Sequence, residues 1–197
     1  MTREPSKYRT IIYILGFLGI VGAAFLAYEF IYLYPIWTLR AFKVPSSSMC
    51  PTICNGERVL VQMRFGPPYV PNRGDVIVMK YGNEKAYFLK RVIGVQGDVV
   101  GPGPNGTILV NGNTWMEPSV CSKSLLKHDD NEDMSPYSGF SEVRVSPGHL
   151  FVIGDNLANS YDSRIKEFEP VTLDQVIGKP VLIYWSPESS RIGCSVL

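Results

Sequence analysis

The sequence has few of the residues on which metal and histidine chemistry depend. Its 197 residues include two histidines, His128 and His149, and four cysteines without any Cys-x-x-Cys pair. Structural zinc sites use sets of four such ligands at close spacing, so we expect no zinc site. Cys50 and Cys54 could pair in an oxidising compartment, although the sequence does not favour that pairing.

An excess of charge of one sign is also lacking. Lys and Arg number 19 and Asp and Glu number 18, and this balance does not indicate a nucleic-acid partner. The chain is long enough for one domain with a substantial core together with an anchor. Its 18 glycines and 15 prolines are typical of a loop-rich β protein rather than of a helical bundle.

A long uncharged segment near the N-terminus predicts a membrane anchor. Residues 10–28 contain no charged side chain. A helix of this length is roughly 28 Å long, about one hydrocarbon thickness. An aromatic-rich run follows, so we assign residues 10–38 to a single-pass signal-anchor with an interfacial segment, rather than to a cleaved signal peptide.

The short basic N-terminal tail predicts the orientation of this anchor. Residues 1–9 carry Arg3, Lys7 and Arg9, and short basic tails normally stay in the cytoplasm. Residues 39–197 are therefore expected to form a domain outside the cytoplasm. A bacterial inner (cytoplasmic) membrane is the predicted location, and a mitochondrial inner membrane or a thylakoid is the alternative.

After residue 40 the apolar pattern changes to that of β-strands. Several short segments are rich in Val and Ile and are bounded by Gly, Pro, Asn or Asp. No long amphipathic helix separates them, so we expect an all-β, mostly antiparallel fold, either a sandwich or a partly closed barrel. Residues 113–147 are expected to form an irregular insertion. The predicted strands are 58–63, 75–80, 87–95, 107–112, 149–155 and 176–185.

The stretch KVPSSSMCPT, residues 43–52, contains three consecutive serines. Such runs beside proline are usually linkers, but a serine can attack a peptide bond if a base takes its proton. Lysine can be that base when burial lowers its pKa. Lys90 lies in an apolar strand pattern, on the same face as Phe88 and Val92, and Arg91 points to the opposite face. The pattern does not decide which of the two basic side chains is buried.

A third polar stretch, GDNLANSYDSR, follows the predicted strand end at Ile153. A hydroxyl at this position can orient a lysine amine, and an Asp-Arg pair can fix the loop. Taken alone, the stretch is also typical of an ordinary turn.

Together these stretches resemble the motifs of the type I signal peptidase family, membrane-bound serine proteases that remove signal peptides. PSSSMCPT is similar to the nucleophile motif, RGDVIVMK to the next strand motif, KRVIGVQGD to the general-base motif and GDNLANSYDSR to the last motif. The four occur in the family's order, from the anchor to about residue 164. The chain departs from the family pattern at Ser47, Gln96 and Leu157, none of which is implied to be catalytic.

The resemblance implies that Ser48 is the nucleophile and Lys90 the general base. The Ser46 hydroxyl and the Ser48 backbone N–H would form the oxyanion hole. The implied reaction is cleavage after small residues through an acyl-enzyme, without metal or cofactor. The implied catalytic domain is β-rich and lies against the membrane surface.

Supporting roles are implied for three further residues: Ser160 would orient the Lys90 amine, and Asp162 and Arg164 would brace the site. The implied partners are preproteins with signal peptides and the lipid bilayer, with the enzyme acting as a monomer or within a small membrane assembly. Two alternatives are a conjugation- or pilin-type maturation peptidase of the same superfamily and a catalytically inactive, membrane-tethered binding domain. The joint presence of Ser48, Lys90, Ser160 and Asp162 argues against the inactive domain.

Overall fold

The computed structural model describes residues 6–33, 38–63, 69–82, 86–116 and 140–196. The chain divides into two compact units, residues 1–38 and 39–197. The first unit contains the helix α1, Ser6–Leu33. Within α1, Tyr8–Glu29 has a mean hydropathy of 2.3 and is exposed along its length. By length and composition, α1 therefore fits a membrane anchor.

The second unit is an antiparallel β structure. Every pairing among the described strands is antiparallel, which confirms the predicted fold class. The strands are β1 (Leu39–Lys43), β2 (Arg58–Met63), β3 (Val76–Lys80), β4 (Tyr87–Gly94), β5 (Val99–Pro102), β6 (Ile108–Val110), β7 (Asn113–Thr114), β8 (Val143–Arg144), β9 (His149–Ile153), β10 (Val171–Thr172) and β11 (Val176–Trp185).

These strands form two sheets. The larger has the order β1-β2-β11-β3-β4-β9-β10 and the smaller the order β7-β6-β5-β8. The strands predicted at 58–63 and 176–185 have the bounds of β2 and β11, and the other four predicted strands lie within two residues of theirs. β1, β5, β7, β8 and β10 were not predicted.

The predicted insertion at 113–147 falls partly outside the described residues. Its two described ends contribute β7 and β8 to the smaller sheet. Residues 117–139, which include Cys121 and His128, are not described. The other histidine, His149, begins β9, and the predicted strand 149–155 also begins there.

One of three buried clusters lies under the loop that joins β1 to β2. We refer to it as the first core cluster. Apolar side chains from this loop, from the strands around it and from the C-terminal segment pack together there. Its buried members are Val44, Met49, Ile53, Val59, Val61, Val76, Val78, Ile183, Cys194 and Val196.

Candidate active site

The loop that carries Ser48 is fixed to the core by two apolar side chains. This nucleophile loop, residues 44–57, connects β1 to β2. Met49 and Ile53 form an isolated antiparallel bridge within it, and both are buried in the first core cluster. Ser48, the neighbour of Met49, remains partly exposed.

A disulfide closes the turn that follows Ser48. Cys50 and Cys54 are bonded to each other, although the sequence did not favour this pairing. The turn brings their Cα atoms to 4.5 Å, a separation that suits a disulfide. Cys194 is also disulfide-bonded.

Ser46 and Ser48 face each other across the start of this loop. Their Oγ atoms are 3.3 Å apart and hydrogen-bond to each other. In the described part of the chain, Ser48 Oγ makes this hydrogen bond and none with Lys90 Nζ. This geometry therefore pairs the two serines.

Lys90 is buried within the larger sheet. β4 lies between β3 and β9, and Lys90 is only 2% exposed. Its Nζ donates a hydrogen bond to Ser160 Oγ at 2.8 Å. Burial lowers the pKa of Lys90 to about 8, although the negative charges of Asp162 and Asp155 act to raise it and the positive charge of Arg164 acts with burial.

Gly154 brings the nucleophile loop and the partner of Lys90 into contact. A Cβ atom at this position would collide with both the Ser48 carbonyl oxygen and the Ser160 hydroxyl. The backbone N–H of Asn156 also donates to the Ser48 carbonyl, at 3.1 Å. Glycine is therefore required here for close approach rather than for a turn alone, a role that sequence reasoning missed.

Asp162 and Arg164 brace the segment that carries Ser160. The Asp162 side chain is fully buried and accepts from Arg164 Nε at 2.8 Å and from Arg164 Nη2 at 2.9 Å. Asp162 Oδ2 also accepts from the Gly154 N–H at 3.0 Å. A second bond runs from Arg164 Nη2 to the Leu157 carbonyl at 3.0 Å. This pair thus fixes both the Gly154 turn and the chain leading to Ser160.

Both basic side chains of β4 are buried, because core clusters cover both faces of the strand: Val92 belongs to one cluster and Ile93 to another. Arg91 is 1% exposed, and its Nε and Nη2 atoms donate to Asp155 at 2.8 and 2.5 Å. Arg91 Nη2 also donates to Thr52 Oγ1 in the nucleophile loop, at 3.2 Å. Sequence reasoning did not find this cluster, although the position of Asp155 beside Gly154 was a usable signal.

The predicted residues form one connected set of contacts. Hydrogen bonds and close approaches run from the serine pair, through the Gly154 turn, to the buried lysine and its bracing ion pair. The residues brought together are Ser46, Ser48, Lys90, Ser160, Asp162 and Arg164. Such a set can activate a hydroxyl and stabilise charge beside it.

Comparison with known proteins gives consistent matches. The family model described as "Signal peptidase, peptidase S26" matches residues 15–185. Signal peptidase I T of Bacillus subtilis (strain 168) is 29% identical over 184 residues, which cover 93% of this chain and 91% of the relative. Signal peptidase I of Bacillus caldolyticus is 34% identical, over 75% of this chain and 83% of the relative. Among solved structures, a signal peptidase I from Enterococcus faecalis V583 has 26% identity and a TM-score of 0.40, over 57% of this chain and 98% of that one.

Proposed function

The chain belongs to the signal peptidase family, peptidase S26, and on this premise we propose that Ser48 is its nucleophile and Lys90 its general base. The protein is a serine endopeptidase that removes signal peptides from preproteins. The observation that carries the proposal is the contact at Gly154, which joins the loop of Ser48 to the hydroxyl partner of Lys90.

Burial makes Lys90 suitable as a base near neutral pH. Its pKa is lowered to about 8, so roughly a tenth of the lysine is neutral at pH 7. An ordinary solvated lysine would be neutral in less than about a thousandth of molecules at that pH. The Ser160 hydroxyl accepts one Nζ hydrogen and so orients the amine.

Acylation begins when neutral Lys90 takes the Ser48 hydroxyl proton. For this step the Ser48 hydroxyl exchanges its contact with Ser46 for one with the Lys90 amine as substrate binds, since catalytic hydrogen bonds often form only in the complex. Ser48 Oγ then bonds to the carbonyl carbon at the end of the signal peptide. The lysine ammonium returns the proton to the departing amine of the mature protein, which leaves an acyl-enzyme.

The proposed role of Ser46 is to stabilise the oxyanion of the tetrahedral intermediate. Its Oγ lies 3.3 Å from Ser48 Oγ, and the oxyanion forms on the carbon that is bonded to that same Ser48 atom. The Ser46 hydroxyl can therefore donate to the oxyanion, together with the Ser48 backbone N–H.

Deacylation repeats the proton transfer with water in place of serine. Lys90, neutral again after acylation, takes a proton from water, whose oxygen attacks the acyl carbon. The signal peptide then leaves with a new carboxylate and Ser48 regains its proton, so each cycle consumes one water molecule.

We assign residues 1–9 to a cytoplasmic tail, residues 10–38 to the anchor with its interfacial segment, and residues 39–197 to the catalytic domain outside the cytoplasm. Support for this arrangement comes from the apolar helix and from the basic tail. The membrane in this assignment is the bacterial inner membrane.

The test uses the full chain in detergent, a preprotein with a signal peptide, and mass measurement of the new N-terminus. Ser48→Ala should abolish processing, because the nucleophile is lost. Ser47→Ala is the matched control and should process at the parent's rate. Processing by Ser48→Ala at the parent's rate would show that another residue is the nucleophile.

A further inference from the structure

The C-terminal segment, Ser186–Val196, returns to the core beside the nucleophile loop. Backbone hydrogen bonds join it to β11, from Ile183 N to the Cys194 carbonyl at 2.9 Å and from Val196 N to the Val181 carbonyl at 3.1 Å. Cys194 and Val196 belong to the first core cluster, which also holds Met49 from the nucleophile loop. The segment lies beyond residues 15–185, the part of the chain that the family model matches.

This segment places a buried arginine against the nucleophile loop. Arg191 is 1% exposed and Glu57, at the end of the loop, is also 1% exposed. Arg191 Nε donates to Glu57 Oε1 at 2.5 Å. The same carboxylate oxygen accepts from Ser186 Oγ at 2.9 Å. A buried guanidinium and a buried carboxylate thus compensate each other between segments far apart in sequence.

Arg191 also contacts the loop backbone directly. Its Nη2 donates to the Thr52 carbonyl at 3.0 Å, and Thr52 lies inside the turn that the Cys50–Cys54 disulfide closes. The other carboxylate oxygen of Glu57 accepts from the Cys54 N–H at 2.7 Å. The pair therefore holds the backbone of this turn at two points, immediately after Ser48.

The side chain of Thr52 is held by β4, the strand that carries Lys90. Arg91 donates to Thr52 Oγ1 at 3.2 Å, and Arg91 is the chain neighbour of Lys90. Thr52 thus receives one arginine from the Lys90 strand and another from the C-terminal segment. These two contacts set where the nucleophile loop lies relative to the base.

We propose that Arg191, with Glu57, is a positioning residue that holds the nucleophile loop through the Thr52 carbonyl in the orientation needed for acylation. The proposal rests on the assignment of Ser48 and Lys90 above. A small displacement of a nucleophile is costly to catalysis, because the reacting atoms must be aligned when the substrate is bound.

A double variant separates this positioning role from simple stability. Arg191→Met alone leaves the Glu57 carboxylate buried without its cation and should lower the melting temperature. Combining Arg191→Met with Glu57→Gln removes both charges, so the melting temperature should return toward the parent's. The hydrogen bond to the Thr52 carbonyl remains lost in both variants.

Processing is measured for the full chain in detergent, well below the melting temperature of each variant. For Glu57→Gln/Arg191→Met we expect kcat to fall about tenfold or more, the effect of one lost charge-assisted hydrogen bond. KM should change less than about twofold, and the apparent pKa of the rate should stay at the parent's value, because Lys90 is untouched. The control is Glu188→Gln, on an exposed residue of the same segment, and should leave kcat unchanged.

A folded double variant with the parent's kcat would overturn the positioning role. If the double variant does not fold, Arg191→Lys is assayed instead, and the parent's kcat in that folded variant would equally overturn the positioning role. That variant keeps a positive charge facing Glu57 but loses the forked donors that reach Glu57 and Thr52 together. Because Ser48→Ala is assayed in parallel, an active Ser48→Ala rejects the proposed nucleophile. A dead Ser48→Ala with a fully active double variant rejects only the positioning role.

Discussion

Two adjacent basic side chains on β4 are buried in different ways. Lys90 Nζ meets the neutral hydroxyl of Ser160 at 2.8 Å. The guanidinium of Arg91 meets the carboxylate of Asp155 through two hydrogen bonds. Their exposed fractions are nearly the same, 2% and 1%, so burial alone does not separate them.

The difference lies in whether the hydrogen-bond partner carries a negative charge that compensates the positive one. Arginine stays protonated in proteins, so a buried guanidinium needs a carboxylate to compensate its charge. Lysine can lose its proton, and for Lys90 the cost of desolvation outweighs the opposing charges of Asp162 and Asp155, which lowers its pKa. We infer that Arg91 stabilises the fold of the site and that Lys90 transfers protons within it.

Removing the proposed base should have the largest effect. Lys90→Met keeps a long apolar side chain but has no amine, and we expect kcat to fall by about 10⁴, the upper range for a general base. The free energy of unfolding at pH 7 should not fall, because no buried charge is left unpaired. Processing assays measure the change in kcat, and denaturant unfolding measures the change in stability. Retention of a tenth of the parent's activity would contradict the expected loss of kcat.

Removing the neighbouring arginine should instead reduce stability. Arg91→Met leaves the Asp155 carboxylate buried without its cation, which typically costs about 3–5 kcal/mol. Urea unfolding measures this loss. The double variant Arg91→Met/Asp155→Asn is the control and should recover part of it. If Arg91→Met is as stable as Lys90→Met, the stabilising role inferred for Arg91 is contradicted.

Removing the hydroxyl partner should have an intermediate effect on rate. Ser160→Ala deletes the acceptor of the Lys90 amine, a bond to a chargeable group worth about 1.5–3 kcal/mol, so kcat should fall about 10- to 100-fold. Ser163→Ala is the matched control, because Ser163 accepts from the Val152 N–H rather than from Lys90. Equal losses of kcat in both variants would remove the orienting role of Ser160.

Within a single pH unit, the smallest expected effect is on the pH dependence of stability. Between pH 8 and 10.5, Lys90 is neutral in the folded protein but protonated in the unfolded chain. The unfolded state then binds more protons, so stability rises with pH in this window, by at most about 1.4 kcal/mol per pH unit. The parent should show this rise relative to Lys90→Met. Parallel stability curves for the two proteins would mean that the pKa of Lys90 is not lowered by folding.

The sequence was sufficient to predict local features of this site, but not which distant residues contact each other in it. The apolar pattern correctly located β2 and β11, and the alternation along β4 correctly placed Lys90 and Arg91 on opposite faces. It could not show that core clusters cover both faces of β4 and so bury both side chains. Periodicity also carries no information on contacts such as Arg91 with Asp155, 64 residues apart, or Arg191 with Glu57, 134 residues apart.

Very short elements and close approaches were also beyond sequence reasoning. β7, β8 and β10 have two residues each, too few to show any alternation. The requirement for glycine at position 154 arises because the nucleophile loop brings the Ser48 carbonyl oxygen close to it. That placement follows from tertiary packing of Met49 and Ile53, not from the residues around Gly154.

The pH dependence of kcat/KM for preprotein processing tests the central claim most directly, since it reports the protonation of the free enzyme's base. We expect the rate to rise with pH and to level off above an apparent pKa of about 8, the value to which burial lowers the pKa of Lys90. A rate that does not change between about pH 6.5 and 9.5 would contradict Lys90 as the general base.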